Sequence, residues 1–255
     1  MAATTNPSTA AYLDRTFKGH TNSVRSVCVT VDGKHLITGS EDKTARVWSL
    51  EDGALVRIFT GHTNNVTSVC VTPDGNHLIT GSLDKTARLW SLADGTMVRE
   101  FVGHQDGVTS VCVTPDGKHV ITGSYDETAR VWSLDDGAMV RAFEGHTERV
   151  TSVCTAVNGT HLITGSEDKT ARLWSLADGT MVREFVGHQD GVTSVCTTVD
   201  GTQLITGSDD ATARLWSLAD GTMVREFKGH TDYVKSVCAT VDGTQLVTGS
   251  YDKTA

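Results

Sequence analysis

The sequence of 255 residues has only three prolines, few aromatic residues and a deficit of positive charge. No apolar run approaches the ~20 residues that a transmembrane helix needs. The N-terminal segment has no basic stretch followed by an apolar one, as a secretory signal would. A net charge of −9 argues against a protein that binds the phosphate backbone of nucleic acids. We therefore expect a protein of the cytosol, with the nucleus as the alternative, that binds neither membranes nor nucleic acid.

Cysteine pairs of the Cys-x-x-Cys type are also missing, so a zinc site has no chelating pair from which to start. The six cysteines stand 42 residues apart, each within a short apolar run. This spacing predicts small, buried and reduced side chains rather than a disulfide framework. We predict no metal and no cofactor. The cysteines are Cys28, Cys70, Cys112, Cys154, Cys196 and Cys238.

What the sequence does contain is a repeat of 42 residues. A Gly-His pair recurs at this spacing six times, from residues 19–20 to residues 229–230. Residues 84–112 are identical to residues 168–196, which is an offset of two repeats. A period of 20–50 residues is typical of stacked units, none of which can bury its apolar face alone.

Each repeat contains four short runs with the composition of β-strands. In the first repeat they are residues 23–30, 35–40, 44–50 and 54–59, separated by turn residues such as Asp32-Gly33. No segment has ten or more residues of helical periodicity. The pattern predicts an all-β protein in which each repeat supplies a four-stranded antiparallel sheet.

These landmarks resemble those of the WD-repeat (WD40) β-propeller family: a Gly-His pair, then "VTPDG" at 71–75, then "ITGSLDKTARLW" at 79–90. The resemblance implies a β-propeller over residues 11–255, with six four-stranded blades of which the last is incomplete. Residues 1–10 are expected to be a disordered tail. The repeats fall at about 19–60, 61–102, 103–144, 145–186, 187–228 and 229–255.

The resemblance also implies a hydrogen-bonded tetrad of His, Ser, Asp and Trp in each blade. A Ser, a His and an Asp at fixed spacing could otherwise be a hydrolase triad, but an enzyme needs one site with an oxyanion hole, not six equal copies. We therefore predict a structural role and no catalytic residue. The predicted tetrads are His20, Ser40, Asp42, Trp48; His62, Ser82, Asp84, Trp90; His104, Ser124, Asp126, Trp132; His146, Ser166, Asp168, Trp174; and His188, Ser208, Asp210, Trp216.

The positions at which the repeats differ are where a specific function could be encoded. In the family they correspond to the top face around the central channel, where partners usually dock. The resemblance thus implies a non-catalytic scaffold or adaptor that binds a protein or peptide, and Tyr and Arg are frequent at such sites. The alternative is a purely structural or designed repeat array without a ligand. The predicted partner-binding residues, called here the top-face set, are Arg25, Glu41, Leu83, Tyr125, Arg149, Glu167, Asp209, Tyr233, Lys235 and Tyr251.

The two ends of the sequence leave the closure of the ring open. Residues 12–18 can supply an outer strand, because Arg15 and Phe17 align with Arg57 and Phe59. The last repeat, however, stops before its Trp. We expect either a fragment of an array of seven or more blades or a six-bladed ring with a defective seam. Unpaired strands at such a seam favour self-association through the incomplete last blade.

Overall fold

The computed structural model describes residues 15–240 and 242–255, and strands are the regular secondary structure within them. The predicted tail at residues 1–10, and Tyr12 at the start of the predicted outer strand, lie outside the described residues. The strands form antiparallel sheets, one for each repeat, in which neighbours along the chain are neighbours in the sheet.

The first three sheets each have four strands. Sheet 1 contains β1 (Val24–Val29), β2 (His35–Ser40), β3 (Ala45–Ser49) and β4 (Leu55–Phe59). Sheet 2 contains β5 (Val66–Val71), β6 (His77–Ser82), β7 (Thr86–Ser91) and β8 (Met97–Val102). Sheet 3 contains β9 (Val108–Val113), β10 (His119–Ser124), β11 (Ala129–Ser133) and β12 (Met139–Phe143).

Sheets 4 and 5 repeat this pattern, and sheet 6 has two strands. Sheet 4 contains β13 (Val150–Thr155), β14 (His161–Ser166), β15 (Thr170–Ser175) and β16 (Met181–Val186). Sheet 5 contains β17 (Val192–Thr197), β18 (Gln203–Ser208), β19 (Ala213–Ser217) and β20 (Met223–Phe227). Sheet 6 contains β21 (Val234–Ala239) and β22 (Leu246–Ser250). The predicted all-β fold, with one antiparallel sheet per repeat, is confirmed.

Apolar side chains between consecutive sheets form the core. Between sheets 1 and 2, Ile37 and Phe59 pack with Val66 and Trp90, and all four are buried. The close approach depends on a glycine, because a Cβ atom on Gly39 would lie 2.9 Å from Val66 Cγ1. The same arrangement recurs at the following interfaces, so that each of sheets 2 to 6 is covered by the sheet before it.

Hydrogen bonds at both edges of the sheets join consecutive sheets. Near the centre, Ser26 Oγ accepts from the Val69 N–H at 3.1 Å. At the outer edge, Arg57 donates to the carbonyl of Ala93 at 3.0 Å, and Phe59 packs against Trp90 with ring centroids 5.7 Å apart. Each repeat therefore stabilises its neighbour through both apolar and polar contacts.

Residues 15–18 occupy the place of an outer strand beside sheet 1 without being assigned as a strand. Arg15 donates to the carbonyl of Leu50 at 2.6 Å, and Phe17 lies 5.9 Å from Trp48. These contacts resemble those of Arg57 and Phe59, although Arg57 binds a carbonyl one position later in the repeat. The inner face of sheet 1 is nevertheless uncovered, since Val27 is 60% exposed. Closure of the ring is thus not seen in the described residues.

Candidate functional site

A buried hydrogen-bonded network links the strands within each sheet. In sheet 1, the indole N–H of Trp48 donates to Thr38 Oγ1 at 2.9 Å. The same oxygen lies 2.7 Å from His20 Nε2, and His20 Nδ1 lies 2.7 Å from Asp42. Because a carboxylate only accepts, His20 donates its Nδ1–H to Asp42, and in this tautomer Nε2 accepts from the threonine hydroxyl.

The prediction that a serine belongs to this network is wrong, because the hydroxyl oxygen of a threonine two residues earlier accepts the hydrogen bond from the indole N–H. In the β2–β3 register Trp48 is opposite Leu36, and Thr38 lies two residue pairs away, whereas Ser40 lies two residues further on, at the turn. Ser40 Oγ instead donates to the Asn22 carbonyl and accepts from the Asp42 N–H. The network threonines are Thr38, Thr80, Thr122, Thr164, Thr206 and Thr248. The serines that they replace in the prediction are Ser40, Ser82, Ser124, Ser166 and Ser208.

The aspartate of each network also shapes the turn that follows it. Asp42 accepts from both the N–H and the hydroxyl of Thr44, and this holds Lys43 in a left-handed conformation with φ of 69°. Burial alone would raise the pKa of Asp42, but the hydrogen bonds from Thr44, His20 and the Thr21 N–H together lower it to about 2. The carboxylate is therefore ionised at neutral pH and serves as a fixed acceptor.

Some positions that vary between repeats are also structural. Thr67 Oγ1 donates to the carbonyl of Val108 in the next sheet at 2.7 Å. Thr109 and Thr151 make the corresponding bonds to Val150 and Val192. Sequence reasoning did not assign these threonines a structural role. Their recurrence in four consecutive repeats, where sheets 1 and 6 have Arg and Lys, was the signal that could have found it.

A central cavity of about 310 Å³ lies where the beginnings of the inner strands meet, and all six sheets contribute to its wall. Seven residues of the predicted top-face set line it, namely Arg25, Leu83, Tyr125, Glu167, Asp209, Lys235 and Tyr251. The other three members contact the lining: Glu41 binds Arg25, Arg149 stacks on Tyr125, and Tyr233 packs against Tyr251. The structure thus brings the whole set together.

The cations of the top-face set are paired with acidic neighbours. Lys235 Nζ lies 2.5 Å from Asp209 Oδ1, and Arg25 binds Glu41. Arg149 lies 4.0 Å from Glu167. This pairing leaves little net charge at the mouth of the cavity, so the surface has no strong field of one sign.

Tyrosine rings lie against two of these cations. The Arg149 guanidinium lies 4.5 Å from the Tyr125 ring centroid. Lys235 Nζ lies 4.8 Å from the ring of Tyr233 and 5.0 Å from that of Tyr251. These distances are within the range of cation–π attraction. The result is a surface of aromatic faces and paired charges, partly exposed to solvent.

The cysteines are free and differ in exposure: five are partly buried and Cys238 is exposed. Burial raises the pKa of Cys28 and of Cys196 to about 12. Thiols with such a pKa stay protonated at neutral pH and are poor nucleophiles and metal ligands. Among the described residues, no three His, Cys, Asp or Glu side chains come together as metal ligands.

Residues 15–240 and 242–255 include no helix of the length and apolar character needed to span a bilayer.

The sequence also has local similarity to curated proteins named "Ribosome biogenesis protein BOP1 homolog". It is 44% identical over 41 residues to the protein of Drosophila erecta and 42% identical over 41 residues to that of Drosophila willistoni. Each match covers 16% of this chain and 5% of the relative. The chain therefore spans only a small part of these relatives.

A sequence model described as "WD domain, G-beta repeat" matches nearly the whole chain, at residues 12–49, 53–91, 95–133, 137–175, 179–217 and 221–255. Most of these matches begin with the outer strand of one sheet and end with the third strand of the next, so the family's sequence unit bridges two sheets. Proteins of this family are generally non-catalytic and typically bind other proteins. With its repeated networks and six matched segments, the chain belongs to the WD40 repeat family.

Proposed function

We propose that this protein is a non-catalytic scaffold or adaptor that binds a protein or peptide through the top-face set. The observation that carries the proposal is that the shared and the variable side chains of the repeats have different roles. Those shared by all repeats bind one another inside the scaffold, whereas the variable top-face set converges on one cavity. Loops at one end of a rigid scaffold commonly carry the binding function of a protein.

The chemistry of the top-face set favours a polypeptide partner. Tyr125, Tyr251 and Arg149 are of the residue types that dominate binding energies at protein interfaces. Leu83 adds an apolar contact in the same cavity. The paired charges give no basic patch for a nucleic acid backbone. A peptide that inserts one side chain into the cavity and lies across the tyrosines fits these features, and it requires no cofactor or metal.

Hydrolysis by the repeated serines is the competing enzymatic hypothesis, and the hydrogen bonds oppose it. Ser166 Oγ donates to the Glu148 carbonyl, while His146 is occupied by Thr164 and Asp168. No histidine thus stands ready to activate the serine. Labelling of any of these serines by a serine-reactive phosphonate would support hydrolysis and contradict our proposal.

A purely structural array without a ligand is the second hypothesis, favoured by the identity of residues 84–112 and 168–196.

The compartment that we propose for either function is the cytosol or nucleus. The six free thiols are the observation that supports it, because thiols stay reduced there.

Selection of displayed random peptides on the purified protein distinguishes the two hypotheses. We expect peptides that lose affinity by about tenfold or more on the double variant Tyr125→Ala/Tyr251→Ala, because both rings are removed from the cavity. The control is Met139→Ala/Met181→Ala, which truncates two exposed side chains on β12 and β16 and should leave the affinity unchanged. Failure to select any specific peptide would favour the structural array, and peptides that bind both variants equally would place the binding surface outside the top-face set.

A further inference from the structure

The three carboxylates of the top-face set differ in how closely they are paired. Glu41 accepts hydrogen bonds from two nitrogens of Arg25, and Asp209 accepts one from Lys235 Nζ at 2.5 Å. Glu167 has Arg149 as its one ion-pair partner among the described residues, with 4.0 Å between the charged groups. This distance exceeds that of a hydrogen bond, and an exposed ion pair of this kind contributes little stability.

Arg149 is instead engaged by an aromatic side chain. Its guanidinium lies 4.5 Å from the ring centroid of Tyr125 in the sheet before. The Glu167 side chain is 43% exposed, and its carboxylate accepts no hydrogen bond from the part of the chain that the structure describes. Since Glu167 lines the central cavity, a carboxylate with open acceptor positions stands in the wall of the space that a partner would fill.

A glycine in the next sheet leaves this carboxylate uncovered. A Cβ atom on Gly191 would lie 3.2 Å from Glu167 Cα and 3.7 Å from its Cγ. The corresponding residue of sheet 4 is Arg149, whose side chain covers Tyr125 of sheet 3. Gly191 also lines the cavity, so the space that a side chain occupies at this position in sheet 4 is open beside Glu167.

The cations that line the cavity are less available than this carboxylate. Arg25 and Lys235 each bind an acidic neighbour, so an acidic group of a partner would have to displace Glu41 or Asp209. A basic group would compete at Glu167 only with an arginine 4.0 Å away. The cavity therefore favours a cation over an anion.

The tyrosines of the cavity wall suit the rest of a basic side chain. Tyr125 and Tyr251 line the same cavity, and cations of this chain lie 4.5 Å and 5.0 Å from their ring centroids. Lysine and arginine have aliphatic stems that pack on apolar surfaces while the charged end reaches a polar group. One long side chain can thus contact the rings along its stem and Glu167 at its end.

We propose that the partner side chain that enters the cavity is basic, a lysine or an arginine, and that the Glu167 carboxylate accepts a hydrogen bond from its cation. This role of Glu167 rests on the proposed function and adds to it the chemistry that the top-face set recognises. A hydrogen bond between two charged groups is about twice as strong as one between neutral groups. Loss of either charge should therefore weaken binding, whereas exposed charges at the rim of the surface should matter little.

The probe is a library of displayed random peptides, selected on the unaltered protein. We expect a lysine or arginine to recur at one position of the selected peptides. One of them is then synthesised with lysine, arginine, or the neutral norleucine or citrulline at that position. Calorimetry should show an affinity about tenfold or more lower when the charge is removed from the peptide or, by Glu167→Gln, from the protein. Removing both should cost little more than removing one.

Glu144→Gln is the matched control, because it removes the same charge at an exposed position outside the cavity. It should bind every peptide as the unaltered protein does. Glu167→Gln keeps the shape of a side chain that is 43% exposed, so this variant should fold as well. The affinities of the lysine and arginine peptides then identify which of the two cations the cavity prefers.

Three results would overturn the role of Glu167 and leave the proposed function intact. The selected peptides have no recurring basic residue although they need Tyr125 and Tyr251, or a basic peptide binds Glu167→Gln as tightly as the unaltered protein. In the third, Glu167→Gln weakens the basic and the neutral peptides equally, as a purely structural role of Glu167 predicts. Failure to select any specific peptide would contradict the proposed function and this role together.

Discussion

At the scale of single residues, the network threonine of sheets 1–5 is the shared hydrogen-bond partner of the buried indole N–H and of the histidine Nε2. Replacing Thr164 by the isosteric Val removes the acceptor of the Trp174 indole and the donor to His146. An unsatisfied buried polar group costs about 1–3 kcal/mol, so we expect a loss of that order in the free energy of unfolding. Denaturant titration followed by tryptophan fluorescence measures it.

Ser166→Ala is the control that separates the threonine from the serine. It also removes two hydrogen bonds, but these join backbone groups at the turn and leave the indole untouched. The nuclear magnetic resonance signal of one indole N–H should therefore shift in Thr164→Val and stay in place in Ser166→Ala. The opposite result would restore the serine to the network.

The same networks predict how stability depends on pH. Burial lowers the pKa of His188 below 6.5, so the folded state binds this proton less readily than the unfolded chain does. Burial alone would raise the pKa of Asp210, but hydrogen bonds from Thr212, Gln189 N–H and His188 lower it to about 2. Both groups therefore contribute stability at neutral pH that is lost on acidification.

The loss should occur in two windows. The free energy of unfolding is expected to fall as the pH drops below about 6.5, when the unfolded histidine binds a proton, and again between about 4 and 2, when the aspartates do. High salt is needed during the titration, because protonation also relieves the repulsion of a chain with net charge −9. A free energy that rises between pH 7 and pH 5 would contradict this assignment.

Hairpin register explains why the sequence alone assigned the serine. Thr38 and Ser40 are two residues apart on β2 and so lie on the same side of the sheet, where alternation cannot separate them. Only the pairing of Leu36 with Trp48 decides between them. The histidine, aspartate and tryptophan were assigned from the resemblance to the family, and each of them takes part in the network of sheet 1.

At the scale of elements, each second strand depends on the glycine that lets the next sheet approach. A Cβ atom on Gly123 would lie 2.8 Å from Val150 Cγ1 and 2.9 Å from Val153 Cγ1. Gly123→Ala should therefore cost about 1–3 kcal/mol through overpacking. Gly249→Ala is the matched control, since it has the same sequence neighbours and no sheet against it. Equal losses in the two variants, measured on dilute protein, would show that the cost is not one of packing.

The number and order of the strands followed from the sequence because turn residues and apolar runs alternate in every repeat. The predicted run at 35–40 matches β2 (His35–Ser40), and the run at 54–59 contains β4 (Leu55–Phe59). The contacts between sheets did not follow in this way. Bonds such as that from Thr67 to the Val108 carbonyl join residues 41 apart in sequence, which no local pattern reveals.

At the scale of the whole molecule, a stack of nearly equal sheets leaves the top-face set as the main source of specificity. Each repeat supplies the same scaffold, and one or two substitutions per repeat decide what surrounds the cavity. The sequence pattern did not predict whether the sheets close into a ring. Closure depends on the geometry of the interfaces between sheets, which no local sequence pattern encodes. The exposed valines of sheet 1 lie on the face that a closed ring would cover.

Hydrogen–deuterium exchange of the protein with and without a selected peptide tests the proposed function most directly. We predict that the peptide slows exchange at the starts of the inner strands and in the turns around Leu83, Tyr125, Glu167 and Asp209, which surround the cavity. The outer strands β4, β8, β12, β16 and β20 should exchange as before. Protection confined to those outer strands would place the binding surface elsewhere and contradict the proposal.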